Sequence, residues 1–202
     1  MTPPKIVVFD LGKVLLDFDY RIALPRIAAQ STSSLNEIKE FFFQSPVLLD
    51  YESGRLTRRE FFEQAQQAID FTGTFEAFGE FFADIFTAIP PMIELHAELH
   101  RRGMPTYIFS NTNDLAIEHV RRSFPFFADF DGYIYSYEAR AMKPEGRIYE
   151  ALEKLAGRRG TDIVYLDDRP ENVAGGAVRG WRAILHETPA KTRSAMEKLK
   201  VL

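Results

Sequence analysis

The chain has 202 residues, 46% of them hydrophobic and 27% charged, with a formal net charge of −4. That is enough to bury one sizeable core, or a domain carrying an insertion. It excludes the strongly basic field that draws nucleic acid or an anionic membrane; no apolar run reaches bilayer length, and the absence of cysteine removes disulfides and thiolate chemistry.

Taken in order, Met1-Thr2-Pro3-Pro4-Lys5 lacks the apolar stretch of a signal peptide, so the cytoplasm is the expected location. The apolar run Ile6–Phe9 reads as a buried strand that delivers Asp10 just before Leu11 and Gly12. A carboxylate at such an address is costly unless it has a task. Residues 18–88 show no strand alternation and read as three or four helices. One covers 22–30, its start blurred by Pro25. Another covers 34–44, with Ser34 and Glu37 spaced as a capping box. Thr57 and Glu60 repeat that spacing before 61–69, and a last helix covers about 75–87. Eleven of the 18 phenylalanines lie between Phe41 and Phe86. They suit the core of a small helical lobe, or some of them an apolar lid over a site.

Beyond this region strands at Thr106–Ser110, 133–136, 163–166 and 183–185 alternate with helices at 91–102, 113–123, 146–157 and 172–180. This rhythm predicts an α/β fold with a parallel sheet, whose ligand sites lie at the carboxyl ends of the strands. Four clusters stand at such ends: Asp10; Ser110-Asn111-Thr112; Lys143-Pro144, after a loop; and Asp167-Asp168. Two or three carboxylates with open oxygens suit a hard cation, here Mg²⁺. Lys143 supplies a compact positive charge for a phosphate or for the nucleophile. Ser110 and the backbone N–H groups around Leu11, Gly12 and Asn111 can donate to phosphoryl oxygens, and Asp10 can attack phosphorus. Each cluster alone is also what a turn, a helix cap or a solvated loop would use; the four together, in this order, are the signal.

Val7-Val8-Phe9-Asp10-Leu11-Gly12, Phe109-Ser110-Asn111-Thr112, Met142-Lys143-Pro144 and Leu166-Asp167-Asp168 with Asn172 resemble the motifs of the haloacid dehalogenase-like hydrolases. Within that superfamily they look like a branch of sugar-phosphate phosphatases that includes α-glucose-1-phosphate phosphatases. The resemblance covers essentially the whole chain. It implies a three-layer Rossmann-like core made of residues 1–17 and 89–202, with residues 18–88 as an inserted small α-helical cap. By motif position it implies Asp10 as the nucleophile that becomes an aspartyl phosphate and also binds Mg²⁺. It implies the Gly12 carbonyl and Asp168 as further metal ligands, with Asp167 acting through a metal-bound water. Ser110 would bind the phosphoryl group, Lys143 would hold it against Asp10, and Asn172 would brace the loop. The implied partner is a small phosphorylated substrate; the oligomeric state is not legible.

Gly12 departs from the pattern, because phosphatases of the family usually carry aspartate there as general acid and base. Such help is worth ~10²–10⁴-fold, about 3–5 kcal/mol of barrier. Three outcomes stand open: a substrate with a better leaving group, such as the anomeric oxygen of a sugar 1-phosphate; a substitute acid, with Asp17, Asp19 or a cap residue as candidates; or slow or absent turnover. Glycine here also occurs in the sugar-phosphatase-like branch. A metal-independent 2-haloacid dehalogenase and a phosphate- or partner-binding protein remain the alternative functions. Asp17, Asp19, Asp50 and Tyr51 are candidate substrate contacts. Lys13 attracts phosphate, pairs with Asp17 or is simply solvated. His96 and His100 share a face of what reads as a solvated helix, Asp129-Phe130-Asp131-Gly132 lacks the other ligands of a calcium loop, and Trp181 reads as packing.

Overall fold

The structure is a computed structural model and describes residues 3–202; Met1 and Thr2, where the reading of the N-terminus begins, lie outside the described residues. In chain order the elements are β1 (Ile6–Phe9), β2 (Leu16–Phe18), α1 (Ala23–Ala28), α2 (Leu35–Gln44), α3 (Val47–Glu52), α4 (Arg58–Ala68), α5 (Phe75–Ala83), β3 (Phe86–Ala88), α6 (Pro90–Arg101) and β4 (Thr106–Ser110). They continue with α7 (Asp114–Ser123), β5 (Gly132–Tyr135), α8 (Ser136–Ala139), α9 (Gly146–Ala156), β6 (Ile163–Asp167), α10 (Pro170–Val178), β7 (Arg182–Leu185) and α11 (Pro189–Lys198).

The five main strands form one parallel sheet in the order β5-β4-β1-β6-β7. β1 runs through its middle and is buried on both faces, which is why it reads as an unbroken apolar run. Strand alternation sends Val7 and Phe9 to one side, against Met92, Leu95 and Leu99 of α6, and Ile6 and Val8 to the other, against Ile148, Tyr149 and Leu152 of α9. Helices therefore cover both faces, and the three-layer α/β core follows. Phe9 pairs in register with Ile108 of β4 and Leu166 of β6, so the residues that follow β1 and those ending β4 and β6 come out level at one sheet edge.

Residues 19–85 build a helical lobe. Both expected capping boxes are present, at Ser34/Glu37 and Thr57/Glu60. Phe41, Phe42, Phe61, Phe62, Phe71, Phe78 and Phe82 are buried there with Tyr51, so the lobe core accounts for most of the phenylalanine excess. Burying such a ring stabilises by ~1.5–3 kcal/mol each. Five α-helices stand here among the described residues, against three or four expected; the short α3 carries no periodicity to read. The helix expected to run to residue 87 stops at Ala83, because the chain turns into β3 and pairs antiparallel with β2, Leu16 facing Ala88 and Phe18 facing Phe86. Three-residue strands are too short to show alternation. α11, capped by Thr188 with Pro189 in its first turn, was also not expected. Ser136 opens α8 rather than closing β5, and its hydroxyl is spent on backbone groups of other segments.

His96 does not lie on a solvated face. It is buried under the sheet, stacked on Phe130 at 3.9 Å between ring centroids, with Nε2 3.1 Å from Thr106 Oγ1. Asp131 accepts the Thr106 N–H at 2.8 Å, tying the start of β4 to the residue before β5. Trp181 packs as expected, its indole N–H donating to Glu153 at 2.9 Å. No helix among the described residues is long and apolar enough to cross a membrane.

Candidate active site

β1, β4 and β6 set out the site because their carboxyl ends are neighbours. Asp10 follows β1, and its N–H is held by the Leu166 carbonyl of β6 at 2.9 Å. Its side chain is almost fully buried. Oδ1 accepts the Leu11 N–H at 2.8 Å and lies 2.9 Å from Lys143 Nζ. The Leu11 N–H, expected to serve phosphoryl oxygens, is thus already engaged by the carboxylate beside it.

Lys143 comes from the loop between α8 and α9, and its Nζ is fully enclosed. Besides Asp10, it reaches Asp167 Oδ2 at 2.7 Å and the Phe109 carbonyl at 2.8 Å, so its three N–H bonds all have acceptors. Asn111 clamps this loop from β4's end: its Nδ2 donates to the Lys143 carbonyl at 3.0 Å and its Oδ1 accepts the Lys143 N–H at 2.8 Å. The Asn111 side chain therefore positions Lys143, while Ser110, buried next to it, lines the cavity.

Asp167 closes β6 and is wholly buried. It accepts from Lys143 and from the Tyr165 hydroxyl (2.5 Å) on Oδ2, and from the Arg169 N–H (2.9 Å) and Asn172 Nδ2 (3.0 Å) on Oδ1. With four protein donors it is an anchor for the others. Asn172 braces the loop as the motif implied. Asp168, half-buried, faces the cavity.

Carboxylate oxygens of Asp10, Asp167 and Asp168 lie within 4.8 Å of one another, and this is the one such cluster found among the described residues. Three carboxylates face one ammonium. Burial pushes Asp10 up to about 7, with Lys143 pulling against it and the charges of Asp167 and Asp168 adding to the rise. Burial first, and then Asp167, also raises Asp168. Burial depresses Lys143, but Asp10 and Asp167 outweigh it and hold the ammonium charged. A divalent cation would cancel the excess negative charge, and all-oxygen donors match Mg²⁺. The donor set fits that ion.

Above the carboxylates lies a cavity of about 290 Å³ reaching Gly12, Ser110 and Asp168 on the core side and Phe18, Tyr20 and Glu52 on the lobe side. A Cβ placed on Gly12 would stand 2.8 Å from Phe18 Cε1, so the ring fills the space where a second carboxylate would grow. Lys13 pairs with Asp17 and lies 4.8 Å above the Phe18 ring. Asp19 pairs with Arg21, Asp50 with Arg55, and the buried Tyr51 bonds Asp114; none of Asp17, Asp19, Asp50 or Tyr51 lines the cavity. Glu52, Tyr20 and Phe18 do, and sequence reasoning passed over all three. Glu52 ends a six-residue helix and belongs to no motif, so only the folded lobe brings it here.

In fold, the chain is similar to a HAD family enzyme from Bacteroides thetaiotaomicron solved in complex with magnesium and inorganic phosphate. They share 24% identity over 90% of this chain and 93% of that one, with a TM-score of 0.79. A predicted HAD-like family hydrolase from Porphyromonas gingivalis matches at 23% identity over 96% and 98% of the two chains, TM-score 0.80. L-2-haloacid dehalogenase from Xanthobacter autotrophicus, with chloropropionic acid covalently bound, matches at 18% identity over 88% and 75%, TM-score 0.63. At these identities the likeness is one of fold, and it spans enzymes of different chemistry. The family model described as haloacid dehalogenase-like hydrolase matches residues 4–180, most of the chain and every strand end that builds the site, and on that ground the chain belongs to the haloacid dehalogenase-like hydrolases.

Proposed function

We propose that the protein is a Mg²⁺-dependent phosphatase of a small phosphorylated metabolite, a sugar phosphate such as a sugar 1-phosphate, working through an aspartyl phosphate on Asp10. The observation that carries this reading is Lys143 Nζ set between Asp10 and Asp167, with Asp168 completing a carboxylate cluster whose charge one lysine does not balance. A magnesium and phosphate complex in a protein of the same fold is consistent with it. So is the excess of carboxylate, which suits a metal better than the metal-free attack on carbon of a dehalogenase.

Asp10 and Asp168, with the Gly12 carbonyl, would hold the ion directly, and Asp167 would hold it through water. When bound, the ion supplies charge neutralisation that lets two anions, carboxylate and phosphate, approach. Lys143 fixes the Asp10 carboxylate by a contact on Oδ1 and adds positive charge at the phosphoryl group. Ser110 donates to a phosphoryl oxygen. Asp10 forms the new oxygen–phosphorus bond as the bond to the leaving oxygen breaks. Water then attacks phosphorus, freeing phosphate and Asp10. Gly12 itself offers the leaving oxygen no proton.

A panel of phosphorylated metabolites assayed with Mg²⁺ tests the proposal. Phosphate release should depend on Mg²⁺, stop with chelator, and fall to the no-enzyme level in Asp10→Asn. Halide release from a 2-haloacid in chelator would instead favour a dehalogenase, and tight phosphosugar binding without release would favour a binding protein.

A further inference from the structure

The space beside Gly12 is closed to a carboxylate by Phe18, yet the cavity above Asp10 contains one acid that stands outside the metal-type cluster. That acid is Glu52, delivered from the lobe by the last residue of α3. We propose that Glu52 is the general acid and base of this site, taking over the task that the residue two after the nucleophile performs in related phosphatases. The proposal rests on the phosphatase reading above and names a residue for it.

Glu52 borders both the cavity that holds Asp10, Ser110 and Lys143 and the adjoining pocket lined by Gly12, Phe18 and Ser110. Its place is fixed from three directions. The Ser136 hydroxyl donates to the Glu52 carbonyl at 2.6 Å. The preceding Tyr51 is tied to Asp114 on α7. Gly54, at φ +72°, packs so closely on the Tyr137 carbonyl that a Cβ would stand 2.2 Å from that oxygen. A side chain held on rigid support is what proton transfer requires.

Its surroundings also suit both halves of the task. Burial lifts the Glu52 carboxyl to about 7, against the opposing pull of the Tyr20 hydroxyl and the Arg169 charge. Lys13, Asp10, Lys143 and Asp168 are the other charged groups on the same cavity. A group poised near neutrality both gives and takes a proton efficiently. In the first step Asp10 bonds to phosphorus, the bond to the leaving oxygen breaks, and Glu52 passes its proton to that oxygen. In the second, the Glu52 carboxylate takes a proton from water as the water oxygen bonds to phosphorus and the Asp10–phosphorus bond breaks. Glu52 is then protonated again, and phosphate leaves.

Wild type, Glu52→Gln, Glu52→Asp and Asp10→Asn would be compared on α-D-glucose 1-phosphate and on p-nitrophenyl phosphate with Mg²⁺, across pH. Circular dichroism and thermal unfolding would check folding. Glu52→Gln should lose ~10²–10⁴-fold in kcat on the sugar phosphate. It should lose much less in bond cleavage on the aryl phosphate, whose leaving group needs no acid. It should also lose the pH limb near neutrality and accumulate phosphorylated Asp10, seen by mass spectrometry after acid quench. Glu52→Asp should recover part of the rate. A folded Glu52→Gln enzyme with wild-type kcat on both substrates and an unchanged pH profile overturns the assignment while leaving the phosphatase reading intact. Equal losses on both substrates with no trapped phosphoenzyme also overturn it, since that is the signature of a merely structural side chain. No Asp10-dependent phosphate from the wild-type protein overturns the phosphatase reading, and this assignment with it.

Discussion

At the scale of single residues, Gly12 is defined by its neighbour as much as by its own lack of a side chain. The Phe18 ring, 2.8 Å from where a Cβ would stand, explains why a carboxylate cannot simply be restored there. Gly12→Asp should therefore destabilise the protein by about 1–3 kcal/mol through overcrowding, read as a lower urea midpoint. Adding Phe18→Ala should recover part of that loss. If Gly12→Asp alone leaves the midpoint unchanged, the ring yields easily and the steric explanation fails. The candidate-site residues Asp10, Ser110, Asp167 and Asp168 were legible in the sequence because each sits at or just after a strand end, and Lys143 because it stands beside a proline in the loop that follows α8. Glu52 and Phe18 were not, because their nearness to Asp10 depends on how the lobe folds back. The sequence also could not show that Leu11 N–H and the Asn111 side chain are engaged within the protein, since that depends on contacts between adjacent strand ends and on the loop at residue 143.

Among elements, the join between lobe and core matters most, and it is built around Asp114 at the start of α7. The carboxylate accepts from the Tyr51 hydroxyl of α3 and from Arg58 Nε of α4 at 2.6 Å, while Arg58 also reaches Glu118 at 2.9 Å. Tyr51 is itself stacked on Phe61 at 4.5 Å, so the hydroxyl is presented by the lobe's own core. Asp114→Ala would strand a buried phenol and loosen Arg58, at a cost of about 1–3 kcal/mol. Hydrogen exchange should then rise in α3 and α4 while β1 and β6 keep their protection; equal change in both regions would show that the tie is not specific to the lobe. The long elements were readable from period and capping: the boxes at Ser34 and Thr57 appear where the spacing put them. The short ones, β2, β3 and α3, were not, because their stability comes from partners distant in sequence.

For the molecule as a whole, acid sensitivity follows from where the imidazoles lie. Burial, and then the charge of His100, hold His96 down to about 4 from its ordinary 6.5, with Asp129 and Asp131 opposing. The unfolded chain takes up this proton first as pH falls, so the stability given by the neutral ring is complete above about 6.5 and drains away toward 4. The full effect is on the order of 3 kcal/mol. Burial lowers His119 and His186 as well, with the same sign. Asp10 and Glu52, lifted to about 7, act with the opposite sign over this range, so the test is the difference between two proteins: from about pH 7 to pH 5 the wild-type urea midpoint should lose ground relative to that of His96→Gln. Identical slopes in the two proteins would mean that the ring is not held neutral. The spacing of His96 and His100 on one helix face gave no hint of this, since the two look alike in sequence and only the first is buried.

The pairing of β2 with β3 brings Leu16 beside Ala88, so the chain leaves the core and returns to it at neighbouring points. To the sheet, everything between Phe18 and Phe86 is the loop of a hairpin. Closing a loop twice as long costs only about 0.6 kcal/mol more, so the content of that loop is nearly free to vary in length and shape without disturbing the strand register that holds Asp10, Ser110 and Asp167 level. The strand-end carboxylates and most of the lobe that faces them are thereby carried on separately replaceable stretches of the chain. A lineage, or an engineer, can reshape the lobe side of the cavity by exchanging residues between the two short strands, keeping a carboxylate in the place of Glu52, while the sheet edge that carries Asp10 and Asp167 is inherited intact.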